Sequence, residues 1–307
     1  MEAANVAEVA VVHLIRRKNG LAPFERFLAS YRRYPAGLPH NLVLIFKGFP
    51  FGRGTMEYDR MLADLPHRRI YLADRGFDLR PYFKAVSTLE HRYLCFLNSF
   101  SLILVSDWLA KLHHWAATKG VGVVGATASY QSFSSSSIER AQMLRQMNPA
   151  ARMHWRVRHV FADMDARLIV QRGAAWILGA TGLWDPAKYF PSFPNYHVRT
   201  NAFMASRETL TRVQIGPVFF KLSAYMFESG HESLTSQIMR RGLRPVVVGR
   251  DGTGYEKEQW HSANIFRQGC QENLLIADNQ TDIYERGSFE KRTELSKLAW
   301  GPFARPT

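Results

Sequence analysis

Five groups of residues in the sequence carry side chains able to do chemistry. The first is Phe227-Glu228-Ser229-Gly230-His231-Glu232. A carboxylate there, within hydrogen-bond reach of a hydroxyl, could remove its proton as a general base. Glu228 is the first candidate and Glu232 the second, with His231 beside them. The competing reading is that Glu228 only favours the start of a helix through its dipole. The second group, Arg16, Lys47, Asp74, Arg75 and Asp78, mixes cations that suit phosphate with carboxylates that suit hydroxyl and N–H donors. An Asp shaping its own turn is the alternative for Asp78. In the third, Asn195 to Met204, His197, Arg199 and Asn201 crowd near the start of a strand, as an anion or hydroxyl site would need. An ordinary strand end with a solvated Arg would read the same. The fourth, Asp278-Asn279-Gln280-Thr281, follows apolar Leu274-Leu275-Ile276 and either returns to close a pocket or simply turns. The fifth is the polar corner Asn98-Ser99-Phe100-Ser101, whose amide and hydroxyl oxygens are neutral. Mg2+ usually wants at least one carboxylate.

These residues need elements to position them. Apolar runs at Val9 to Ile15, Asn41 to Phe46, Arg69 to Leu72, Tyr93 to Leu97 and Val121 to Gly125 read as buried strands. Between them lie helical patterns: Phe24, Phe27, Leu28 and Tyr31 after Pro23, then Thr55 to Leu65, Pro81 to Leu89, and a helix opening at Ser106-Asp107-Trp108. Such alternation predicts an α/β fold, a mostly parallel central sheet with helices on both faces. Ligands of such sheets bind beyond the carboxyl ends of the strands. Arg16, Lys47, Asp74 and Asp78 therefore surround one crevice. The second half is less regular. His197 to Met204 reads as a strand, Ser229 to Arg241 as a helix closed by Gly242, and Arg244 to Val248 as a strand. Ser132 to Ser137 reads as a polar loop, and Ser136 with Glu139 suits a capping box for a helix from Ile138. No element is assigned between Arg152 and Pro191. Without repeats or a linker, a single domain over 1–307 is expected, with a ligand-binding half at 1–130 and a second half at 131–307.

Composition narrows the classes. Of 307 residues, 46% are apolar and 21% charged, enough for a sizeable core. No apolar run reaches the about 18 residues of a spanning helix. The start MEAANVAEVAVVHLI carries early Glu residues and no basic region, unlike a secretory signal. The cysteines, Cys95 and Cys270, stand in unrelated contexts, which excludes a disulfide framework and suits a reducing cytoplasm. His113-His114 and His13 lack the Cys or carboxylate spacing of a zinc site, and core or surface histidines are the simpler reading. The formal net charge of +14 favours anionic partners: nucleic acid, an anionic membrane face or a diphosphate. Basic residues are densest from Arg140 to Arg172, mixed with Met143, Leu144, Met147, Met153, Trp155 and Val157. That stretch could lie on an anionic membrane or be a solvated face over a core stripe. It carries no nucleic-acid-binding signature.

Three stretches, in this order, resemble inverting nucleotide-sugar glycosyltransferases of the GT-A type, especially the family-2-like and rhamnan-synthesis-like bacterial polysaccharide enzymes. Leu72-Ala73-Asp74-Arg75-Gly76-Phe77-Asp78-Leu79 is similar to their Asn-x-Gly-x-Asp turn, which lines the nucleotide pocket. Phe96-Leu97-Asn98-Ser99, then Asp107-Trp108-Leu109 and Val121-Gly122-Val123-Val124-Gly125, are similar to the metal-corner strand, its helix and the next strand. Phe227 to Glu232, with the helix to Gly242 and the strand Arg244 to Val248, resembles the acidic acceptor-side motif. The likeness spans roughly 9 to 250. At the corner the family has Asp-x-Asp, and this chain has Asn98-Ser99-Phe100-Ser101.

The resemblance implies a GT-A-like (Rossmann-like) fold and sugar transfer from a nucleotide-diphosphate donor. The donor would lie over His13, Arg16, Lys47, Asp74, Arg75, Asp78, Asn98 and Ser99, with Glu228 or Glu232 as base. His197, Arg199, Asn201, His231, Asp278 and Asn279 would serve the acceptor or diphosphate. The changed corner implies metal-independent chemistry, with at most a weakly held Mg2+ or Mn2+ and cations such as Arg16, Lys47, Arg75 and Arg199 balancing phosphate. The acceptor implied is a glycan or polyisoprenyl-linked sugar in surface-polysaccharide synthesis, on the cytoplasmic side with peripheral contact to the inner membrane face. The alternatives are an inactive enzyme, a non-catalytic glycan- or membrane-binding protein of this fold, or a nucleic-acid binder.

Overall fold

The computed structural model describes residues 7–50, 53–136, 146, 148, 185–216, 218 and 221–307. They belong to two compact units, one formed by 1–131 and 196–307, the other by 132–195. Apart from residues 146 and 148, the basic stretch Arg140 to Arg172 lies outside the described residues, as does the Glu139 end of the expected capping box.

The first unit is built on an eight-stranded sheet. Its strands are β1 (Val9–Arg16), β2 (Asn41–Lys47), β3 (Arg68–Leu72), β4 (Tyr93–Leu97), β6 (Val121–Gly125), β9 (Ala202–Ser206), β10 (Arg244–Val248) and β11 (Gly254–Tyr255). The spatial order is β11-β10-β6-β9-β4-β1-β2-β3. β1 pairs in parallel with β2 and β4, β2 with β3, and β6 with β10. β9 runs antiparallel between β4 and β6, and β11 antiparallel on β10. The mostly parallel α/β fold is thus the one the alternation foretells.

Helices α1 (Ala22–Arg33), α2 (Met56–Met61), α3 (Leu79–Thr88) and α4 (Trp108–Ala116) follow the first four of these strands in turn, α4 after a short ladder strand. In α1, Pro23 sits in the first turn and Phe24, Phe27 and Leu28 are buried. Covered on both faces, β1, β2 and β4 need continuous apolar runs, and all five residues of β4 are buried. Edge strand β3 is only partly covered. Short ladders complete the unit: β5 (Leu102–Ile103) with β12 (Ile276–Ala277), and β7 (Ala128–Ser129) with β8 (His197–Val198). The remaining helices are α5 (Arg207–Thr211), α6 (Lys221–Ser229), α7 (Leu234–Met239), α8 (Asn279–Glu285) and α9 (Phe289–Trp300). Among the described residues, no helix is long and apolar enough to cross a membrane.

Four expectations change. The strand read over His197 to Met204 is two strands, because the chain turns at Arg199-Thr200-Asn201 and leaves the small ladder for the main sheet. The helix read over Ser229 to Arg241 is two helices. Ser233 caps α7 by accepting the Ser236 N–H, and this restart separates α7 from α6. In the second unit, residues 133–136 are helical where a loop was expected, and Ser132 Oγ accepts the Ser135 N–H at 3.0 Å. The second helix is also shorter than its apolar pattern, ending at Met61.

His13 belongs to this core and lines no crevice. It is completely buried in β1 and stacks on Phe27 with ring centroids 3.6 Å apart. Neither ring nitrogen has a partner, and burial pushes its pKa from the ordinary 6.5 down to about 3. The unfolded chain therefore binds this proton first as pH falls. The stability given by neutral His13 is full above pH 6.5 and drains as pH drops toward 3, by about 1.4 kcal/mol per unit. Urea titrations should show this slope in the wild type and its loss in His13→Phe. Close packing where β6 ends makes a second expectation. A Cβ on Gly125 would fall 2.4 Å from Val198 Cγ1. Gly125→Ala should therefore lower stability by about 1–3 kcal/mol, read as a reduced urea midpoint.

Candidate functional site

Strand register brings the first cluster together. Arg16 at the end of β1 is level with Lys47 at the end of β2, and Lys47 with Leu72 at the end of β3. Asp74 follows in the next turn and receives Arg16 through Nε at 2.8 Å and Nη2 at 3.0 Å. Gly48, at φ +80, lets that turn close, since its own Cβ would stand 3.1 Å from the Asp74 Cβ. The Lys47 side chain is buried, with its ammonium on the Phe77 carbonyl and 3.5 Å from Asp74 Oδ1. Burial drives the Lys47 pKa down, helped by Arg16 and opposed by Asp78 and Asp74. For Asp74 burial works upward, but Arg16 and Lys47 outweigh it and hold the carboxyl below its usual range. About a third of the Arg16 and Asp74 side chains stays open to solvent.

Asp78 stands at the N-cap of α3 yet makes no capping hydrogen bond, so its carboxylate is not used to shape the turn. Burial raises its pKa, with Asp74 adding to the effect and Lys47 and Arg16 opposing it.

The second cluster reaches the same edge because β9 is antiparallel. Its amino end lies where β4 ends, with Leu97 level with Ala202. The Asn98 N–H donates to the Asn201 carbonyl at 2.8 Å. Thr127, two residues past β6, donates through Oγ1 to Asn201 Oδ1 at 2.7 Å. Arg199 gives Nη2 to Asp278 Oδ2 at 3.0 Å and approaches Thr127 Oγ1 with Nη1 at 3.4 Å. Its guanidinium lies 4.3 Å from the Phe266 ring centre. Asp278 Oδ1 accepts the N–H groups of Gln280 and Thr281, both at 3.0 Å, in a capping box that starts α8. Asp278 is thus a cap and the partner of Arg199 at once.

Glu228 lies between the clusters. It is the penultimate residue of α6, at the carboxyl end, where the dipole disfavours a carboxylate. The helix-start reading of Glu228 therefore fails. Thr200 Oγ1 donates to its Oε2 at 3.1 Å. Burial raises the Glu228 pKa; the Asp278 and Asp78 charges add to it, while Arg199 and the Thr200 bond oppose. A carboxyl that feels Asp78 on one side and Arg199–Asp278 on the other is a perturbed group of the kind found at functional sites.

The oxygens of the polar corner are neutral, and that of Asn98 is already engaged. Asn98 Oδ1 already accepts the Phe100 N–H at 2.9 Å and the Ser101 hydroxyl at 3.2 Å. Ser99 is buried beside it. Among the described residues, no group of three His, Cys, Asp or Glu side chains is placed to hold a metal ion.

Other candidates lie elsewhere. Glu232 and His231 are exposed, and Glu232 pairs with Arg240. Arg75 is exposed, as is Asn279, the first residue of α8. His197 is buried on β8, level with Ser129. Residues not singled out from the sequence also belong here: Thr127, Thr200, Phe266 and Arg267. The crevice rule applied to the end of β6 points toward Thr127, and Thr200 adjoins Arg199. Nothing periodic marks Phe266 or Arg267. A separate cleft of about 570 Å3 at the amino ends of the strands is lined by His40, His67, Arg68 and His91, among others. Its histidines bond to Tyr31 and Leu38, to Leu65 and Arg69, and to Asn41.

No family model matches the chain, and no curated protein matches its sequence. Among solved structures it is similar to the mannosyltransferase PcManGT from Pyrobaculum calidifontis in complex with GDP-Man and Mn2+. Identity is 14% and the TM-score 0.46, over 85% of this chain and 61% of that one. It is also similar to TarS 1-349 of S. aureus, with 13% identity and TM-score 0.31 over 38% and 34% of the two chains. A structure of GalNAc-T7 with UDP, GalNAc and Mn2+ shows 15% identity and TM-score 0.32 over 40% and 23%. The chain spans about three fifths of the length of PcManGT. Likeness of this size identifies neither substrate nor mechanism.

The double role of Asp278 is testable. Asp278→Ala removes the cap, worth about 1 kcal/mol, and leaves the mostly enclosed Arg199 guanidinium without its partner, at about 3–5 kcal/mol. Asp278→Asn keeps a good cap and an acceptor oxygen. Its urea midpoint should fall clearly less than that of the Ala variant.

Proposed function

We propose that the chain is a glycosyltransferase that moves a sugar from a nucleoside-diphosphate donor to an acceptor hydroxyl, inverting the anomeric centre without a bound metal. The observation that carries this reading is the place of Glu228. It is a partly buried carboxyl, its pKa raised by its surroundings, between two cation–carboxylate clusters at the edge where α/β sheets bind ligands. The resemblance of the Leu72 to Leu79 turn and of the acceptor-side motif to nucleotide-sugar enzymes supports the same reading.

In the proposed reaction the acceptor oxygen attacks the anomeric carbon as its proton passes to Glu228. The bond to the diphosphate breaks, and the electron pair leaves with the diphosphate. One displacement with one base inverts the centre. Asp74 and Asp78 suit the hydroxyl and N–H donors of a nucleoside, and Thr200 steadies the Glu228 carboxyl through its hydrogen bond. The metal-free reading rests on the Asn98 oxygen, already occupied by two donors within its own corner. A glycan or polyisoprenyl-linked acceptor, in surface-polysaccharide synthesis on the cytoplasmic side of the membrane, belongs to the same proposal. The corner without carboxylates also favours a second reading, a donor-binding protein that does not turn over.

Calorimetry with UDP and GDP, in EDTA and then with Mn2+, tests the donor site: binding in EDTA is expected. Glu228→Gln should bind the nucleotide within about threefold of the wild type while turnover falls by about 100- to 10,000-fold. The wild-type rate should drop with acid at a pH above the usual glutamate range, because the base must be ionised to act. Unchanged turnover in Glu228→Gln removes it from the mechanism, and binding without turnover in the wild type selects the second reading.

A further inference from the structure

Cations at the crevice are not equally free. Arg16 and Lys47 both stand against the Asp74 carboxylate, and Asp78 faces them as well, so neither lacks an acidic partner. The second cluster holds two guanidiniums, buried Arg267 and mostly enclosed Arg199, whose side chain is 11% exposed. Only the Asp278 carboxylate faces both, with Glu228 near Arg199. Glu294 of α9 also faces Arg267, but it is exposed and paired with Lys291. Arg267 is 6% exposed, gives Nη2 to Gln280 Oε1 at 2.8 Å, and has no partner for Nε. Its guanidinium lies 4.8 Å from the centre of the same Phe266 ring that Arg199 contacts. A second buried donor, Asn201 Nδ2, is also without a partner. Buried donors without acceptors are costly and call for a missing partner.

The loop presenting Arg267 is held rigidly at some expense. Asn264, Arg267 and Gln271 all have left-handed backbones, with φ of 52°, 50° and 53°. Such conformations cost about 1 kcal/mol or more each and persist only where surroundings impose them. Gln271 takes the Arg267 N–H on Oε1 at 3.0 Å and donates to the Thr281 carbonyl at 3.1 Å. Fully buried Gln268 bonds the carbonyls of His261 and Phe303, the Ser296 hydroxyl and the Arg305 N–H. Trp300 Nε1 holds the Phe266 carbonyl at 2.6 Å. Strain fixed by side chains from the C-terminal segment is what a preorganised ligand clamp needs.

We propose that Arg199 and Arg267, set against Phe266, form the anion subsite that takes the donor's diphosphate, so that Arg16 and Lys47 serve the nucleoside side instead. This rests on the reading of the crevice as a donor site. It names Arg267, outside the span of the family resemblance, as the principal cation on the leaving group.

The test uses sodium pyrophosphate, uridine and guanosine in EDTA, on the full chain. Pyrophosphate should bind the wild type and raise its Tm. Arg267→Met should weaken pyrophosphate by about 10- to 100-fold, the loss expected for a charged hydrogen-bond donor, and leave nucleoside affinity unchanged. Arg286→Gln, the same charge loss at an exposed pair with Asp282, should leave both unchanged. Apo stability separates an anion site from a structural ion pair, since removing an uncompensated buried charge should leave the Tm equal or higher. If Arg267→Met does not fold, Arg267→Lys keeps the charge and should retain part of the affinity. A lower apo Tm with full pyrophosphate affinity overturns the proposal, as does a wild type that ignores pyrophosphate. Nucleotides that bind only with Mn2+ also overturn it while leaving the donor site in place. Pyrophosphate binding through Arg267 with no response to nucleosides, UDP or GDP sinks the donor reading and keeps the anion site.

Discussion

A charge enclosed by protein must be met by another charge or by hydrogen bonds, and the carboxyl-side edge of the sheet is ordered by that requirement. Lys47 is buried and reaches Asp74 and the Phe77 carbonyl, so the end of β2 is tied to the turn after β3. Arg199 is mostly enclosed and reaches Asp278, so the start of β9 is tied to the first turn of α8. Each tie joins distant parts of the chain across one surface. Breaking either leaves a cation that the interior cannot solvate.

Antiparallel β9 makes this economy of placement work. Parallel strands send their carboxyl ends to one edge, and a reversed strand delivers its amino end there. Arg199, Thr200 and Asn201 precede β9 and so meet Asn98 and Thr127, which follow β4 and β6. The same reversal sets Thr200 against Glu228 at the end of α6. Glu228 then sits where the helix dipole and neighbouring carboxylates push its pKa upward together with burial, and only Arg199 and Thr200 restrain the shift.

The sheet was legible in the sequence wherever a strand is covered on both faces. The runs at Val9, Asn41, Tyr93 and Val121 are apolar almost throughout because nearly every position in them is buried, the exposed Asn41 and the partly buried Arg16 and Val121 standing at strand ends. It was less legible where elements are short. Gly230 and Ser233 are ordinary stop and start signals, yet the apolar pattern on either side reads through them as one helix. The polar residues 199–201 likewise sit inside what looks like one strand. At the site, residues in turns directly after strands could be named, since topology places them. Glu228 could be named by its neighbours, but its helix position was misread. Arg267 and Phe266 were invisible, because their partners Gln271, Gln280 and Trp300 come from a loop and two helix segments with no shared period.

The corner at Asn98 and the clamp at Arg267 belong to one electrostatic argument. A carboxylate at position 98 would be a buried anion after β4, tolerable only with a cation beside it. An amide closes the same corner unaided, accepting the Phe100 N–H and the Ser101 hydroxyl while its backbone N–H holds Asn201. The corner then carries no charge. On the proposed metal-free donor reading, positive charge on a diphosphate comes from side chains, and best from those not already matched by a carboxylate. Arg16 and Lys47 pair with Asp74 and face Asp78; Arg199 and Arg267 share the buried Asp278. A neutral corner and an excess of guanidinium on the far side of Glu228 are therefore complementary. On the proposed donor reading each makes sense of the other, because a diphosphate at this edge would need positive charge, wherever it is held.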